Sequence, residues 1–268
     1  EQATPDLLLP AIKKHQASIV FTSPTAYRFL LSEVKDGDLS SVRTCVSAGE
    51  TLPKPTWDSW QEKTGLEILD GIGSTELLHI FMSSRADDIR PGATGKPLAG
   101  YQAKVVDDEG NEVAPGTTGK LAVKGPTGCR YLADERQKKY VQNGWNLTGD
   151  AYQMDEDGYF WFKARTDDMI ISSGYNIAGP EVETALLAHQ AVVECAVVGV
   201  PDVQRGSLVK AFVVLQQGIS GDVKLVKELQ DFVKNSIAPY KYPRALDFVA
   251  ALPKTETGKI QRFKLREG

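Results

Sequence analysis

Three stretches of this 268-residue chain bring together residue types that can do chemistry. In Gly71-Ile72-Gly73-Ser74-Thr75-Glu76, two glycines let a backbone approach a flat or anionic ligand closely. The hydroxyl and carboxylate that follow can hold a phosphate oxygen and a hard divalent cation together. The same run also reads as a strand-to-helix turn, with Ser74 or Thr75 as N-cap and Glu76 as its capping-box partner. Asp150 ends Asn146-Leu147-Thr148-Gly149-Asp150, with Arg165 soon after. Its carboxylate can take both hydroxyls of a ribose, or it can be an ordinary turn residue after glycine. Lys259 ends the polar loop Leu252-Pro253-Lys254-Thr255-Glu256-Thr257-Gly258-Lys259-Ile260. A solvated surface lysine is the plain alternative there.

The elements that must position these groups fall into three textures. Residues 7–12 begin a helix, and 17–21 read as a short buried strand. Ser23-Pro24-Thr25 caps a second helix through Tyr27, Leu30 and Leu31. Residues 42–46 form a strand running into Ser47-Ala48-Gly49-Glu50, residues 56–63 a helix, and 67–69 a strand ending at Asp70-Gly71-Ile72-Gly73. Strands alternating with helices predict a parallel α/β sheet, with ligands gathering at the carboxyl ends of its strands. From Pro97 the pattern turns to hairpins, at residues 103–111, 119–123 and 155–162, giving a β-rich part. After Arg165-Thr166-Asp167-Asp168 comes an α+β unit. It has strands at 169–172, 192–200, 209–215 and 246–249, a helix opened by Pro180, and an amphipathic helix over 223–235. The predicted fold class is therefore α/β plus α+β. A large part covers residues 1–166 (1–96 α/β, 97–166 β-rich), and a small C-terminal part covers 167–268.

Composition narrows the function. With 31 basic against 35 acidic side chains, the net charge is −4, and no basic stripe speaks for nucleic acid. No apolar run approaches the roughly 20 residues of a membrane span. The first residues do not read as a signal peptide, so the cytoplasm is the expected compartment. Cys45, Cys129 and Cys195 are odd in number and far apart, which fits neither a disulfide framework nor a zinc site. Cys45 and Cys195 are expected in the core.

Taken together and in order, these stretches closely resemble the adenylate-forming superfamily of acyl-CoA synthetases, peptide-synthetase adenylation domains and luciferases. The resemblance is carried by Ser47–Glu50, Asp70–Glu76, Thr148-Gly149-Asp150, Lys163–Asp168 and Pro253–Lys259, and it covers nearly the whole chain from about residue 18. Asp70-Gly71-Ile72-Gly73-Ser74-Thr75-Glu76-Leu77-Leu78-His79-Ile80-Phe81 is similar to benzoate- and aminobenzoate-CoA ligases; many other members carry an aromatic residue where Ile72 stands. Residues 238–244 and 258–264 are similar to that group and to medium-chain acyl-CoA synthetases.

The resemblance implies an ATP-dependent acid–thiol ligase that uses ATP, Mg²⁺ and coenzyme A. Its substrate would be a small carboxylic acid such as benzoate or 2-aminobenzoate. Lys259, Thr75 and Glu76 would be catalytic, with Glu76 on Mg²⁺. Ala48, Gly49, Glu50, Asp70, Gly71 and Ile72 would line the adenine slot, and Asp150 and Arg165 would hold the ribose. Gly73, His79 and Ile80 would bound the acyl pocket, although His79 also reads as a core histidine. Asp167 would be the hinge of a mobile small domain, and Gly174, Tyr240 and Arg244 would meet CoA. A homodimer is allowed. The family's Ser/Thr/Gly-rich phosphate loop ending in Pro-Lys is not found, so the chain is expected to start inside the large domain and to be inactive alone. The remaining readings are a medium-chain acyl-CoA synthetase, an adenylation domain loading a carrier protein, and an inactive nucleotide binder.

Overall fold

The computed structural model describes residues 4–128, 130–255 and 258–266. Cys129 and two members of the last motif, Glu256 and Thr257, lie outside them. Two compact units divide the chain, Glu1–Phe162 and Lys163–Gly268.

The first unit opens with α1 (Pro5–His15), β1 (Ile19–Thr22), α2 (Pro24–Glu33), β2 (Thr44–Ser47), α3 (Lys54–Thr64), β3 (Ile68–Gly73), β4 (Ile80–Ser83) and β5 (Lys96–Pro97). Strands β1, β2 and β3 pair in parallel, as the alternation with helices predicts. Leu9 and Ile12 of α1, Tyr27 and Leu30 of α2, and Trp57 and Trp60 of α3 pack with Val20, Cys45 and Ile68 into one core. Ser23 caps α2 by accepting the Ala26 amide at 3.3 Å. The Tyr27 hydroxyl donates to Val20 O at 2.9 Å and Val46 O at 3.1 Å, tying the helix to two strands. Burial pushes the Cys45 thiol up to about 11, which suits an inert core residue. Cys195 is likewise buried.

Two local expectations fail here. β1 is not a buried strand: Val20 is covered, but Ile19 and Phe21 are 50% and 54% exposed. A strand's side chains alternate between faces, and the helices cover only one face of this sheet. Nor does β3 stop before the glycines and lead into a helix. It runs through Gly73, turns over residues 74–79, and pairs antiparallel with β4, with a register irregularity between Ile72 and Gly73. Ser74 Oγ accepts the Leu77 amide at 3.2 Å, so its capping-type bond closes a turn instead of opening a helix.

The β-rich part consists of β6 (Gln102–Val106), β7 (Thr118–Lys124), α4 (Arg136–Tyr140), β8 (Val141–Gln142), β9 (Trp145–Met154) and β10 (Phe160–Arg165). Its sheet has the order β10-β9-β7-β6, with β8 on β9. Leu121, Val123, Tyr152 and Phe160 pack there with Leu77, Phe81 and Met82. The β3–β4 turn is thus seated on the second sheet.

The second unit contains β11 (Ile170–Ser172), β12 (Tyr175–Ile177), α5 (Gly179–Leu187), β13 (Val192–Asp202), β14 (Gly206–Leu215), α6 (Val223–Ser236), β15 (Ala245–Phe248) and α7 (Arg262–Arg266). Its sheet order is β12-β11-β14-β13, with β15 parallel to β14. Val182 and Leu186 of α5 and Leu229 and Val233 of α6 are packed on Val197, Val209 and Val213. Among the described residues no helix is long and apolar enough to cross a membrane.

Candidate functional site

In the first unit, cross-strand register brings two of the small-residue motifs side by side: Ser47, the last residue of β2, is the partner of Asp70 on β3. Both are buried, and no hydrogen bond of ordinary geometry reaches Ser47 Oγ or Asp70 Oδ1 among the described residues. Burial drives the Asp70 carboxyl well above the usual range; the Gly71 amide and the nearby Ser47 hydroxyl pull the other way. Asp150, on β9, is also buried at 7% exposure. The charges of Asp150 and Asp70 both reach the buried Tyr152 phenol, which is raised above all by its own burial. The Tyr152 hydroxyl in turn shares a hydrogen bond of 3.1 Å with Thr94. Asp70 and Asp150, 80 residues apart in sequence, are thus both near enough to the Tyr152 phenol for their charge to raise it.

Gly49 (φ 91°) makes the turn that Ala48 enters after β2. Glu50 points back to α2, where its Oε2 accepts from the Thr25 hydroxyl at 2.7 Å and the Thr25 amide at 3.3 Å. The carboxylate thus sits where a helix N-terminus favours negative charge. Gly71 is close to β4: a methyl there would meet Met82 O at 3.2 Å and Ile80 Cδ1 at 3.3 Å. Gly73 admits no side chain at all, since a Cβ would lie 2.4 Å from His79 O. These glycines hold the motif against the strand that carries Ile80.

Thr75 and His79 are exposed at the turn, and Ile72, Glu76 and Ile80 are half-buried. His79 is therefore not a core histidine; its ring lies 6.1 Å from that of Phe21. Glu76 has a partner that the sequence did not reveal. Tyr131 donates its hydroxyl to Glu76 Oε1 at 2.7 Å, while the Tyr131 amide donates to Gln137 and Arg136 lies over its ring at 4.8 Å. Nothing in one sequence announces a pair 55 residues apart.

The remaining predicted residues belong to the second unit. Arg165 Nε lies 3.8 Å from Asp167 Oδ1, and Asp167 is exposed in the turn after β10. Ser173 and Gly174, with φ of 52° and 80°, make the two-residue turn joining β11 to β12. Such a turn demands left-handed backbone, so Gly174 has a conformational reason to be there. Tyr175 stacks on Tyr240 with ring centroids 4.5 Å apart, and Arg244 lies over Tyr242 at 4.5 Å. Lys241 pairs with Glu181 at 2.6 Å. Burial lowers the neighbouring Lys163, Lys241 lowers it further, and Glu181 opposes both. Lys259 is exposed on a hairpin loop, where Thr255 donates its amide to Lys259 O at 2.8 Å and accepts the Lys259 amide on Oγ1 at 3.1 Å.

The first unit offers buried polar groups on β2, β3 and β9 and a hydroxyl–carboxylate turn; the second, taken by itself, offers an exposed lysine. Groups of these types are ones that nucleotide activation can use. Residues 1–131 match the family model of AMP-binding enzymes, and residues 181–259 match that of the AMP-binding enzyme C-terminal domain. The chain is 43% identical to benzoate–CoA ligase of Thauera aromatica, over 99% of this chain and 51% of that protein. It is also 43% identical to the mitochondrial acyl-coenzyme A synthetase ACSM4 of Homo sapiens, over 98% and 47%. The crystal structure of the anthranilate CoA ligase AuaEII in complex with anthranoyl-AMP superposes with a TM-score of 0.92 at 44% identity, covering 98% of this chain and 52% of that one. The chain spans about half the length of the relatives it matches. With both parts of the family present in order, the chain belongs to the AMP-binding, adenylate-forming enzymes.

Proposed function

We propose that the protein is an ATP-dependent carboxylate–CoA ligase acting on an aromatic acid such as benzoate or 2-aminobenzoate. The observation carrying this reading is the match, over nearly all of this chain and about half of each relative, to a benzoate–CoA ligase and to an anthranilate CoA ligase, at 43% and 44% identity. The acid's carboxylate oxygen attacks the α-phosphorus of ATP, forming the acyl-adenylate and releasing pyrophosphate. The CoA thiolate then attacks the acyl carbon and AMP leaves.

Two anions must meet in the first step, so positive charge and dipoles aimed at the α-phosphate carry most of the catalysis. Lys259 supplies its ammonium between the carboxylate and the α-phosphate, and Thr75 donates its hydroxyl to that phosphate. Ala48, Gly49, Asp70, Gly71 and Ile72 bound the adenine. Glu50, bonded to Thr25, acts on that slot by fixing the loop. Asp150 and Arg165 take the ribose hydroxyls. Glu76 offers one carboxylate, oriented by Tyr131, and that donor set suits Mg²⁺ shared with nucleotide phosphates. The ion would neutralise phosphate charge there. Gly73, His79 and Ile80 bound the acyl group; the exposed imidazole can exchange a hydrogen bond with an ortho amine or hydroxyl. Between the half-reactions residues 167–268 turn about Asp167 as a small domain, and Gly174, Tyr240 and Arg244 then meet CoA.

A medium-chain acyl-CoA synthetase is the second reading, favoured by the equal identity to human ACSM4. Pyrophosphate release by the intact protein over a panel of aryl and medium-chain acids decides between them, followed by thioester detection with CoA against a carrier protein. Aryl acids with CoA are expected to lead. Preference for straight-chain acids, or for a carrier, would overturn the proposal.

A further inference from the structure

The exposed Lys259 stands on a loop, next to the bridge that closes it, and the two legs of that loop are each nailed down by a largely buried ion pair. On one side Lys254 Nζ lies 2.8 Å from Glu194 Oε1, with the Glu194 side chain 10% exposed. On the other, Arg262 Nη2 donates to both oxygens of Glu183, at 2.8 and 2.9 Å, with the Glu183 side chain 12% exposed. Glu183 also accepts the Val197 amide at 2.8 Å, which fixes its carboxylate to β13. Between the pairs the legs join through a bridge of Lys254 to Ile260 and the Gln261 amide donating to Pro253 O at 2.8 Å. Leu252, Ile260 and Leu265 pack on Ala196, Val198 and Phe212 beneath.

That apolar seat already holds the segment to the sheet. Largely buried ion pairs are weak sources of net stability, because desolvating two charges consumes much of what their attraction returns; what they supply best is a fixed register. Here the register they fix is that of the one exposed lysine between them. We propose that Glu183 and Glu194 are positioning residues for Lys259: through Arg262 and Lys254 they set where its ammonium is presented for adenylate formation. This rests on reading Lys259 as the adenylation lysine, and neither carboxylate touches substrate. Because the lysine serves only the first half-reaction, the pairs matter only there.

The test uses Glu183→Gln and Glu194→Gln in the intact protein, since glutamine keeps the size and the acceptor for the Val197 amide. Acid-dependent ATP–pyrophosphate exchange is expected to fall about 100-fold, the loss that a 1 Å misplacement can cause. Thioester formation from supplied acyl-adenylate and CoA should stay at the wild-type rate. Independently of activity, hydrogen exchange at the Thr255 and Gln261 amides should quicken about tenfold or more, as local opening becomes easier. Equal loss of both half-reactions would mark the pairs as merely structural and overturn the inference. So would undiminished pyrophosphate exchange in both variants while Lys259→Ala abolishes it. Pyrophosphate exchange that survives Lys259→Ala would instead remove the reading of Lys259, and the positioning role with it.

Discussion

Replacing Gly73 by alanine separates surface exposure from steric need. Gly73 is exposed at the end of β3, and by exposure alone a methyl group there should be harmless. Its missing Cβ, however, would lie 2.4 Å from His79 O, 2.6 Å from His79 C and 2.8 Å from Ile80 N. All three atoms are backbone and cannot swing aside, so β4 must move. Overpacking of this kind costs about 1–3 kcal/mol. Against it stands a gain of about 0.4–1 kcal/mol from restricting the unfolded chain. The net is a loss centred on about 1.3 kcal/mol and at most about 2.6, so a fall of about 3–5 °C in the melting of a unit this size. Gly71→Ala is the matched control, meeting Met82 O, Ser83 Oγ and Ile80 Cδ1 at 3.2–3.3 Å. Two of those atoms are side-chain ends, and the net should lie near zero. Urea unfolding followed in the first unit, compared at constant m-value, reads both changes. Because β4 carries Ile80 and follows His79, Gly73→Ala should also alter acid preference. An unfolding midpoint for Gly73→Ala at or above that of Gly71→Ala would refute the steric argument.

Asp70→Asn should flatten the pH dependence of stability. A buried carboxyl with a raised pKa binds its proton more tightly folded than unfolded, so wild-type stability is fullest below the ordinary value of 3.8 and falls as pH rises above it; a melting series from pH 4 to 8 that is equally steep in both proteins would contradict this. Tyr131→Phe removes the 2.7 Å donor to Glu76, and Mn²⁺ binding in the presence of ATP, read by electron spin resonance, should weaken about tenfold, the order expected for one bond to a charged group; unchanged binding would separate Tyr131 from the metal. His79→Ala and His79→Gln should change the ratio of 2-aminobenzoate to benzoate turnover, and a constant ratio would take His79 out of the acyl pocket. Asp167→Pro should spare pyrophosphate release and block thioester yield, whereas parallel loss of both would count against the hinge.

The local motifs were legible because each is defined by neighbours in sequence. Ser47–Glu50, Asp70–Glu76 and the lysine hairpin all stand at strand ends or turns, where short-range residue types suffice to place them. The antiparallel return through β4 was not legible, since a Ser-Thr-Glu run satisfies a helix cap and a tight turn equally well. Only the seat that Leu77, Phe81 and Met82 find on the second sheet decides for the turn. The parallel sheet was expected, but not that Ile19 and Phe21 would be left open, because which face the helices cover is a tertiary choice. Tyr131 with Glu76, and Glu183 with Arg262, pair across 55 and 79 residues. Each of those side chains alone reads as an ordinary solvated polar group, and only topology makes them partners.

The lysine hairpin bears on how the two half-reactions can alternate. If its ammonium must be present for adenylate formation and absent afterwards, either the loop flexes or the body carrying it moves. Flexing would require breaking the Thr255–Lys259 backbone bond, the Gln261–Pro253 bond and at least one of two largely buried ion pairs. Each is individually modest, but removing one partner of such a pair leaves a charge desolvated and unpaired, at about 3–5 kcal/mol when burial is full. Doing that at every turnover is a poor route, which supports the proposed turning of residues 167–268 about Asp167, exposed in the turn after β10 with Arg165 Nε 3.8 Å from its Oδ1. Surface ion pairs of that kind contribute about 0–1 kcal/mol. The difference supports the proposal of a stiff finger carried by a small domain that moves as a body, over one of a loop that flexes.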